Sequence, residues 1–195
     1  MVRGRRIRDS SYFAQMLEDK LLVRRLRRGD RESLRVLYEK YKTYLLSIAV
    51  SLLHETGGAE DVVHDVFVSF AGGLPNFKLR GTLRQYLTTC VVNRVRDRFR
   101  KKTFELVEID RLGEVGEESR TPELLAMLRE ESKLVAEALS QIPYEQREVI
   151  VLHLKAGMKF REIAAVQGTS TSTVQGRYRY GLDKVRSTLT GEVTG

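Results

Sequence analysis

The sequence predicts an all-α fold made of two small helical domains that an acidic linker joins. Apolar residues recur three and four positions apart along several long segments, which places them on one face of a helix. Glycine and proline clusters separate these segments, and no stretch alternates apolar and polar residues as a half-buried strand would. The length agrees with this division, because 195 residues suffice for one mid-sized domain or two small ones.

Three helices are predicted in the N-terminal half. The first starts at Leu34, the second starts near Ala59 and ends at Gly72, and the third covers residues 83–99. Cations at a helix C-terminus complement its dipole, but the number found here exceeds what that role needs and suggests an anionic partner. Six of them follow one another closely along the third helix and just beyond it: Arg94, Arg96, Arg98, Arg100, Lys101 and Lys102.

The connection between the two domains is predicted at residues 104–120, which are rich in acids and glycine and have no sustained period. Residues 121–123 then have the chemistry of a helix start, with a capping hydroxyl, a proline in the first turn and an acid near the positive end of the dipole. That helix is predicted to reach Gln141, and Pro143 starts the next one. The predicted domains are therefore residues 20–103 and 121–190.

Both chain ends are predicted as tails, over residues 1–19 and 191–195. The first carries Arg3, Arg5, Arg6 and Arg8, which suggests a segment that becomes ordered only against an anionic partner. A solvated chain end with no binding role explains the same residues equally well.

Charge is distributed in blocks along the chain. Residues 1–103 have a net charge of +11, residues 104–132 a net charge of −6 and residues 133–195 a net charge of +3. Cationic surfaces attract phosphates by field steering and by release of counterions, so nucleic acid is the first expected partner and an anionic membrane surface the second. Two basic blocks thus flank an acidic spacer.

Several classes of protein are disfavoured. No apolar run is long enough for a transmembrane helix or a secretory signal, which predicts a cytoplasmic protein without membrane insertion. The three histidines, His54, His64 and His153, have no metal-ligand spacing, and no glycine-rich phosphate loop follows a strand. Cys90 lacks an activating neighbour and is expected in the core. We therefore predict neither an enzyme nor a bound metal or cofactor.

A helix-turn-helix is predicted over residues 160–179. Ala164 is small enough for the second helix to cross close by, Gly168 permits a left-handed turn, and Val174 fills the angle between the helices. Ser170 is placed to cap the second helix. A plain helical hairpin is the competing interpretation. The candidates for contacts with bases and phosphates are Arg161, Thr171, Ser172, Thr173, Gln175, Gly176, Arg177 and Arg179.

Two blocks of the sequence resemble extracytoplasmic-function (ECF) sigma factors of the sigma-seventy superfamily. Residues 135–189, with ALSQIPYEQREVI, FREIA and TVQ, are similar to region four of that family. The N-terminal half is similar to region two, in the segments LYEKY, AEDVVHDVF, LPNF and NRVRDR. The resemblance implies a non-enzymatic subunit that binds RNA polymerase core, directs it to promoters and is controlled by an anti-sigma factor.

The resemblance also assigns roles to residues. It implies that the helix after Ala59 contacts a coiled coil of the largest polymerase subunit, through Asp61, His64, Asp65 and Val68, and that the C-terminal domain meets the polymerase flap. It implies that the loop before Leu83 and the helix after it read and melt the minus-ten promoter element. The residues expected there are Asn76, Lys78, Arg80, Arg84, Tyr86, Asn93, Arg96, Arg98, Arg100 and Lys101.

The sequence departs from the family pattern at places that affect promoter choice. The chain has no tryptophan, and Tyr86 stands where the family commonly has one, as a core residue or a stacking surface. In the recognition helix, Gly176 and Gly181 each weaken the helix by roughly 1 kcal/mol relative to alanine. Either the backbone approaches DNA closely there or the helix is marginal until bound. We expect a minus-thirty-five preference unlike the common family sequence.

Two other interpretations compete with a sigma factor. A stand-alone helix-turn-helix regulator explains residues 135–190 but gives the basic N-terminal half no role. An adaptor or anti-sigma-like protein would bind polymerase without touching promoter DNA, and charge reversals at Arg177 and Arg179 would then leave promoter-directed transcription unaffected. A regulator binds duplex DNA specifically by itself, whereas a sigma factor requires core polymerase.

Overall fold

The structure is a computed structural model that describes residues 4–53, 57–79, 81–108 and 133–190, with side chains described in these ranges except at 4–12, 57, 76, 101–108 and 133. The described residues form helices and connecting turns without strands, which confirms the all-α prediction. A 3-10 turn, Leu74–Asn76, follows α3. The helices are α1 (Gly4–Arg27), α2 (Arg31–Leu53), α3 (Gly57–Gly73), α4 (Leu83–Glu108), α5 (Lys133–Ser140), α6 (Tyr144–Leu154), α7 (Phe160–Gln167) and α8 (Thr171–Thr190).

The N-terminal tail is the main error in the sequence prediction, because residues 4–19 of the predicted tail belong to α1, which continues to Arg27 within the predicted domain. Leu22, Val23 and Leu26 are buried against the rest of the N-terminal bundle, so this helix gains apolar burial that its arginine content obscured. Asp30 ends the turn between α1 and α2 by accepting hydrogen bonds from the Glu32 backbone N–H at 3.1 Å and the Ser33 hydroxyl at 2.8 Å.

The N-terminal unit is a bundle of α1 to α4. Helix α2 lies at its centre and contacts each of the other three helices. The predicted apolar faces of α2, α3 and α4 are buried, and α4 continues to Glu108, so residues 104–108 belong to this helix and not to the linker. Their role as linker was predicted because residues 105–120 contain six acids and two glycines and have no sustained period. The residues that build the bundle core include Leu37, Leu45, Ile48, Leu52, Val63, Phe70, Leu87 and Val91.

The C-terminal unit comprises α5 to α8 and contains the predicted helix-turn-helix, formed by α7 and α8. Gly168 adopts φ 63° and ψ 36°, the left-handed conformation that its position requires. Ala164 is 5% exposed and Val174 is fully buried, as their roles at the helix crossing predict. The predicted helix start at residues 121–123 lies outside the described residues.

The two units share one buried apolar cluster. Val149, Leu152, Met158, Ile163 and Val174 of the C-terminal unit belong to the same cluster as the core of the N-terminal bundle. The contact runs mainly between α2 and α6. Within the described ranges, no helix is both long enough and apolar enough to cross a membrane.

Candidate nucleic-acid interface

Helix α8 presents its N-terminal half as an open, capped surface. The Ser170 hydroxyl accepts a hydrogen bond from the Thr173 backbone N–H at 3.1 Å, which confirms the predicted cap. Arg161 of α7 and five of the predicted contact residues of α8 are exposed. Those five are Thr171, Ser172, Thr173, Gln175 and Arg179.

Gly176 and Arg177 differ from these neighbours. Nothing lies within 4 Å of the position that a Cβ on Gly176 would occupy, so the fold itself does not require glycine there. Arg177 is half-buried, and its Nη1 donates to Gln167 Oε1 at 2.7 Å. The guanidinium of Arg177 is therefore held against the body of the protein, while Arg179 points outward beside the exposed Tyr180 ring.

The second predicted surface lies along α4 and the loop before it. Lys78, Asn93, Arg98 and Arg100 are exposed, and Arg100 forms a surface ion pair with Asp97 at 2.8 Å. Surface pairs of this kind contribute little to stability and are readily exchanged for a phosphate. Arg80 lies outside the described residues, as do the side chains of Asn76 and Lys101.

Arg96 is a predicted minus-ten residue whose guanidinium is bound to the C-terminal unit, although 33% of its side chain remains exposed. Its Nε donates to Glu148 Oε2 at 2.9 Å, its Nη2 pairs with Glu148 Oε1, and its Nη1 donates to the Val166 carbonyl at 2.9 Å. Glu148 is fully buried in α6. Burial opposes the charge on Arg96, but the hydrogen bonds and negative charge of Glu148 prevail and raise the pKa of the guanidinium.

Glu148 belongs to a polar network that extends to the recognition helix. Gln167 donates to Glu148 Oε1 at 3.1 Å, and the same amide accepts from Arg177 at 2.7 Å. A continuous path of hydrogen bonds thus connects Arg96 of α4 with Arg177 of α8. Sequence reasoning missed Glu148 and Gln167, although an acid among apolar residues of α6 is a signal that a buried cation must lie nearby.

Arg84 and Tyr86 begin α4 in different surroundings. The exposed Arg84 guanidinium carbon lies 3.9 Å from the centre of the Tyr44 ring, a cation–π contact that holds it at the surface. Tyr86 packs 4.7 Å from Phe77 and 6.0 Å from Phe70, measured between ring centres. Burial raises the pKa of Tyr86 to about 12. Tyr86 is thus half-buried in an aromatic cluster beneath the loop.

The polar face of α3 is accessible. Asp61, His64 and Asp65 are exposed, and Val68 has 57% of its surface exposed. Asp65 pairs with Arg94 at 3.3 Å and Asp61 with Arg98 at 3.5 Å. The four predicted polymerase-contact residues share one side of the helix, because they lie three or four positions apart.

A buried polar cluster between α1 and α2 is a second feature that sequence reasoning missed. Asp19 is 2% exposed and accepts hydrogen bonds from Lys40 at 2.8 Å and from the Tyr41 hydroxyl at 2.5 Å. Burial and the Asp19 carboxylate both raise the pKa of Tyr41. The cluster lines a cavity of about 220 Å³ that also touches Arg84. No signal predicted it, because α1 itself was not predicted.

Family models match both units of the chain. The model described as Sigma-70 region 2 matches residues 37–105, and the model described as Sigma-70, region 4 matches residues 132–185. The chain belongs to the sigma-70 family and is a sigma factor of the ECF type. The N-terminal match also shows that a stand-alone helix-turn-helix regulator was the wrong alternative.

Individual relatives agree with this assignment. The chain is 26% identical over 188 residues to RNA polymerase sigma-H factor of Pseudomonas aeruginosa, covering 90% of this chain and 97% of the relative. It is 25% identical over 174 residues to ECF RNA polymerase sigma-E factor of Escherichia coli strain K12, covering 85% of this chain and 91% of the relative.

Two solved structures share the fold. One is the sigma factor RpoE in complex with the anti-sigma factor NepR from Bartonella quintana, with a TM-score of 0.64 and 21% identity over 81% of this chain and 99% of that one. The other is CnrH in complex with the cytosolic domain of CnrY, with a TM-score of 0.62 and 26% identity over 89% of this chain and 98% of that one.

Proposed function

We propose that this sigma factor contacts polymerase core through α3, opens the minus-ten element with α4 and the preceding loop, and reads the minus-thirty-five element with α8. One observation carries the proposal. The two helical units each expose a separate set of cations and polar side chains, along α4 and at the start of α8, in the regions that match the sigma-70 models. A protein that binds duplex DNA through a single surface would not need two separate sets of such side chains.

The start of α8 suits duplex recognition. Its exposed hydroxyls and amide offer donors and acceptors to base edges, and Arg179 offers a guanidinium to a base or a phosphate. Gly176 has open space above its backbone, so a base or sugar is able to approach the helix more closely there than beside any side chain. The chemistry of this helix supports a minus-thirty-five preference of its own.

The α4 surface suits a strand that is being separated from its partner. Lys78, Arg98 and Arg100 are exposed cations that track phosphates, and Arg84 provides a guanidinium beside the Tyr44 ring. The loop before α4 rests on the aromatic cluster of Phe70, Phe77 and Tyr86, which supports it from below. Capture of an unstacked base is therefore assigned to the loop, with cations on both sides.

The exposed face of α3 supports the contact with core polymerase. Val68 supplies apolar area, and His64, Asp61 and Asp65 surround it with polar groups. The contact with the polymerase flap is assigned to the C-terminal unit because this unit resembles region four of the family. An anti-sigma factor is proposed as the regulator, since one solved relative, RpoE, is in complex with the anti-sigma factor NepR. The protein acts in the cytoplasm, and as an initiation factor it needs no catalytic residue.

Selection of genomic DNA fragments tests the proposal. The protein is immobilised and incubated with sheared genomic DNA, once alone and once after saturation with core polymerase. We expect distinct fragments to be enriched only in the presence of core, and a variant carrying Arg177→Glu and Arg179→Glu to lose that enrichment. Equal enrichment without core, or no effect of the double charge reversal, would contradict the assignment.

A further inference from the structure

We propose that the outward side of α1 is a lipid-binding surface, through which the protein associates reversibly with an anionic membrane surface. The helix lies in the plane of the lipid headgroups and does not cross the bilayer. Lipid binding goes beyond promoter recognition and is independent of it, because α1 has no assigned part in the contacts with core polymerase or DNA.

An apolar stripe runs along the side of α1 that faces away from the bundle. Phe13, Leu17 and Leu21 follow one another at intervals of four residues and have 56%, 45% and 59% of their surfaces exposed. The opposite side of the helix, with Leu22 and Leu26, is buried in the core of the bundle. Single exposed apolar side chains are common on protein surfaces, but three that share one helix face indicate a contact with something apolar.

Cations accompany this stripe. Arg24 lies seven residues, about two turns, after Leu17 and therefore points the same way. Within the residues that the structure describes, the exposed cations on this part of the chain form no ion pair. They are Lys20, Arg24, Arg25 and Arg28. The two acids of the same stretch do not neutralise them, because Glu18 and Asp19 both pair with Lys40 of α2.

Further cations precede the stripe in the sequence, so that basic segments lie on both sides of it. They are Arg3, Arg5, Arg6 and Arg8. A basic helix with an apolar face is typical of segments that lie on a membrane surface. The long side chains of arginine and lysine keep their charges among the headgroups while shorter apolar neighbours reach the hydrocarbon boundary. Each such cation strengthens binding to an anionic leaflet by about fivefold.

An anionic bilayer fits this face better than a second copy of the chain or nucleic acid does. Two copies of α1 that pack through the stripe bring cations against cations in either direction, because both ends of the helix are basic, and like charges repel. Nucleic acid satisfies the cations but offers little apolar surface to Phe13, Leu17 and Leu21. A bilayer supplies phosphates for the cations and a hydrocarbon boundary for the stripe.

A chain without tryptophan allows a direct test, because an introduced indole is the only one present. Phe13→Trp places this reporter in the stripe. Leu154→Trp is the matched control, on α6 at a similarly exposed position, 60% against 56%. Each protein is titrated with phosphatidylcholine vesicles and with vesicles in which about one lipid in three is phosphatidylglycerol, without polymerase or DNA. Indole emission moves to shorter wavelength when the ring leaves water.

We expect the emission of Phe13→Trp to move to shorter wavelength with the anionic vesicles only, and that of Leu154→Trp to stay unchanged. Leu17→Glu, added to Phe13→Trp, should lower the affinity for these vesicles at least about tenfold, because it turns a carboxylate toward the lipid. Arg24→Gln with Arg25→Gln should also lower it about tenfold or more, without altering the apolar stripe. Circular dichroism establishes that the helices persist in each variant.

Lys184→Gln with Arg186→Gln is the control for charge, since it removes two exposed cations from α8 and should change vesicle affinity little. Equal losses from the two charge variants would overturn the proposal, as would an unchanged emission of Phe13→Trp with anionic vesicles. A loss of core-polymerase affinity in Leu17→Glu, without vesicle binding by Phe13→Trp, would give the stripe to a protein partner and also overturn it. None of these results depends on promoter recognition, so failure here leaves the proposed function intact.

Discussion

Arg96 of α4 and Glu148 of α6 are joined by a two-pronged ion pair, with Arg96 Nε 2.9 Å from Glu148 Oε2, across the boundary between the two helical units. The pair places a predicted DNA contact on a buried carboxylate of the other unit. It explains why α6 tolerates a fully buried acid. The contact between the two units therefore depends on electrostatics as well as on apolar packing.

The two glycines of α8 should respond to alanine in opposite ways. A Cβ on Gly181 would lie 2.9 Å from Ile150 Cδ1 and 3.1 Å from Gln146 Cβ, so Gly181→Ala should lower the free energy of unfolding by about 1–3 kcal/mol. Gly176→Ala meets open space and should raise it by about 0.5–1 kcal/mol, because glycine weakens a helix interior. Urea denaturation measures both.

Gly176→Ala also tests the approach of DNA to α8. If the backbone meets DNA closely there, the added methyl group weakens promoter-directed transcription even though it stabilises the fold. Transcription unchanged by Gly176→Ala would remove Gly176 from the recognition surface. A stability loss at Gly176 equal to that at Gly181 would contradict the packing of α8 against α6.

The α3 surface should lose affinity for core polymerase when its apolar centre becomes charged. Val68→Glu places a carboxylate on an exposed position, so the fold is expected to remain while the affinity for core falls at least about tenfold. Leu21→Glu on α1 is the control, since Leu21 is exposed to a similar degree, 59% against 57%. Titration of labelled core measures both affinities, and equal effects would refute the assignment of this face.

The buried carboxylate between α1 and α2 should stabilise the fold more than its exposed neighbour does. Asp19→Asn weakens the charge-assisted hydrogen bonds from Lys40 and Tyr41 and should cost about 1.5–3 kcal/mol. Glu18→Gln weakens only an exposed bond from Lys40 and should cost less than about 0.5 kcal/mol. Chemical denaturation distinguishes the two, and similar losses would contradict the docking of α1.

Cys90 should react slowly and at higher pH than a free thiol. Burial disfavours the thiolate and raises the pKa of Cys90, while the Tyr86 contact opposes this rise only in part. A higher pKa means less thiolate at any given pH, so the pH at which thiol–disulfide exchange becomes fast should move above the pKa of about 8.5 that an unperturbed thiol has. Reaction rates with a disulfide reagent across pH 7–10 test this in native and denatured protein; identical profiles would count against it.

The features that the sequence predicted correctly are those whose physical cause lies in neighbouring residues. Ala164, Gly168, Ser170 and Val174 predicted the helix-turn-helix because each acts through its immediate neighbours, and a left-handed glycine or a helix cap is local chemistry. Their predicted roles are confirmed by burial, φ and the cap hydrogen bond.

The errors and omissions have tertiary causes. The start of α1 was predicted as a tail because of its basic residues, and the helix is docked by Leu22, Val23 and Leu26, which are buried in the N-terminal bundle. From the sequence, Arg96 was predicted to contact the minus-ten element together with Arg98 and Arg100. Only the approach of α6 and α7 separates them, by turning Arg96 inward to Glu148.

Transcription of genomic DNA by purified core polymerase, with and without this protein, tests the central claim most directly. RNA 5′ ends are mapped in both reactions. We expect a set of new start sites that appear only with the protein, each preceded by shared minus-ten and minus-thirty-five sequences. Intact, active core that gives no new start site when the protein is added would contradict it.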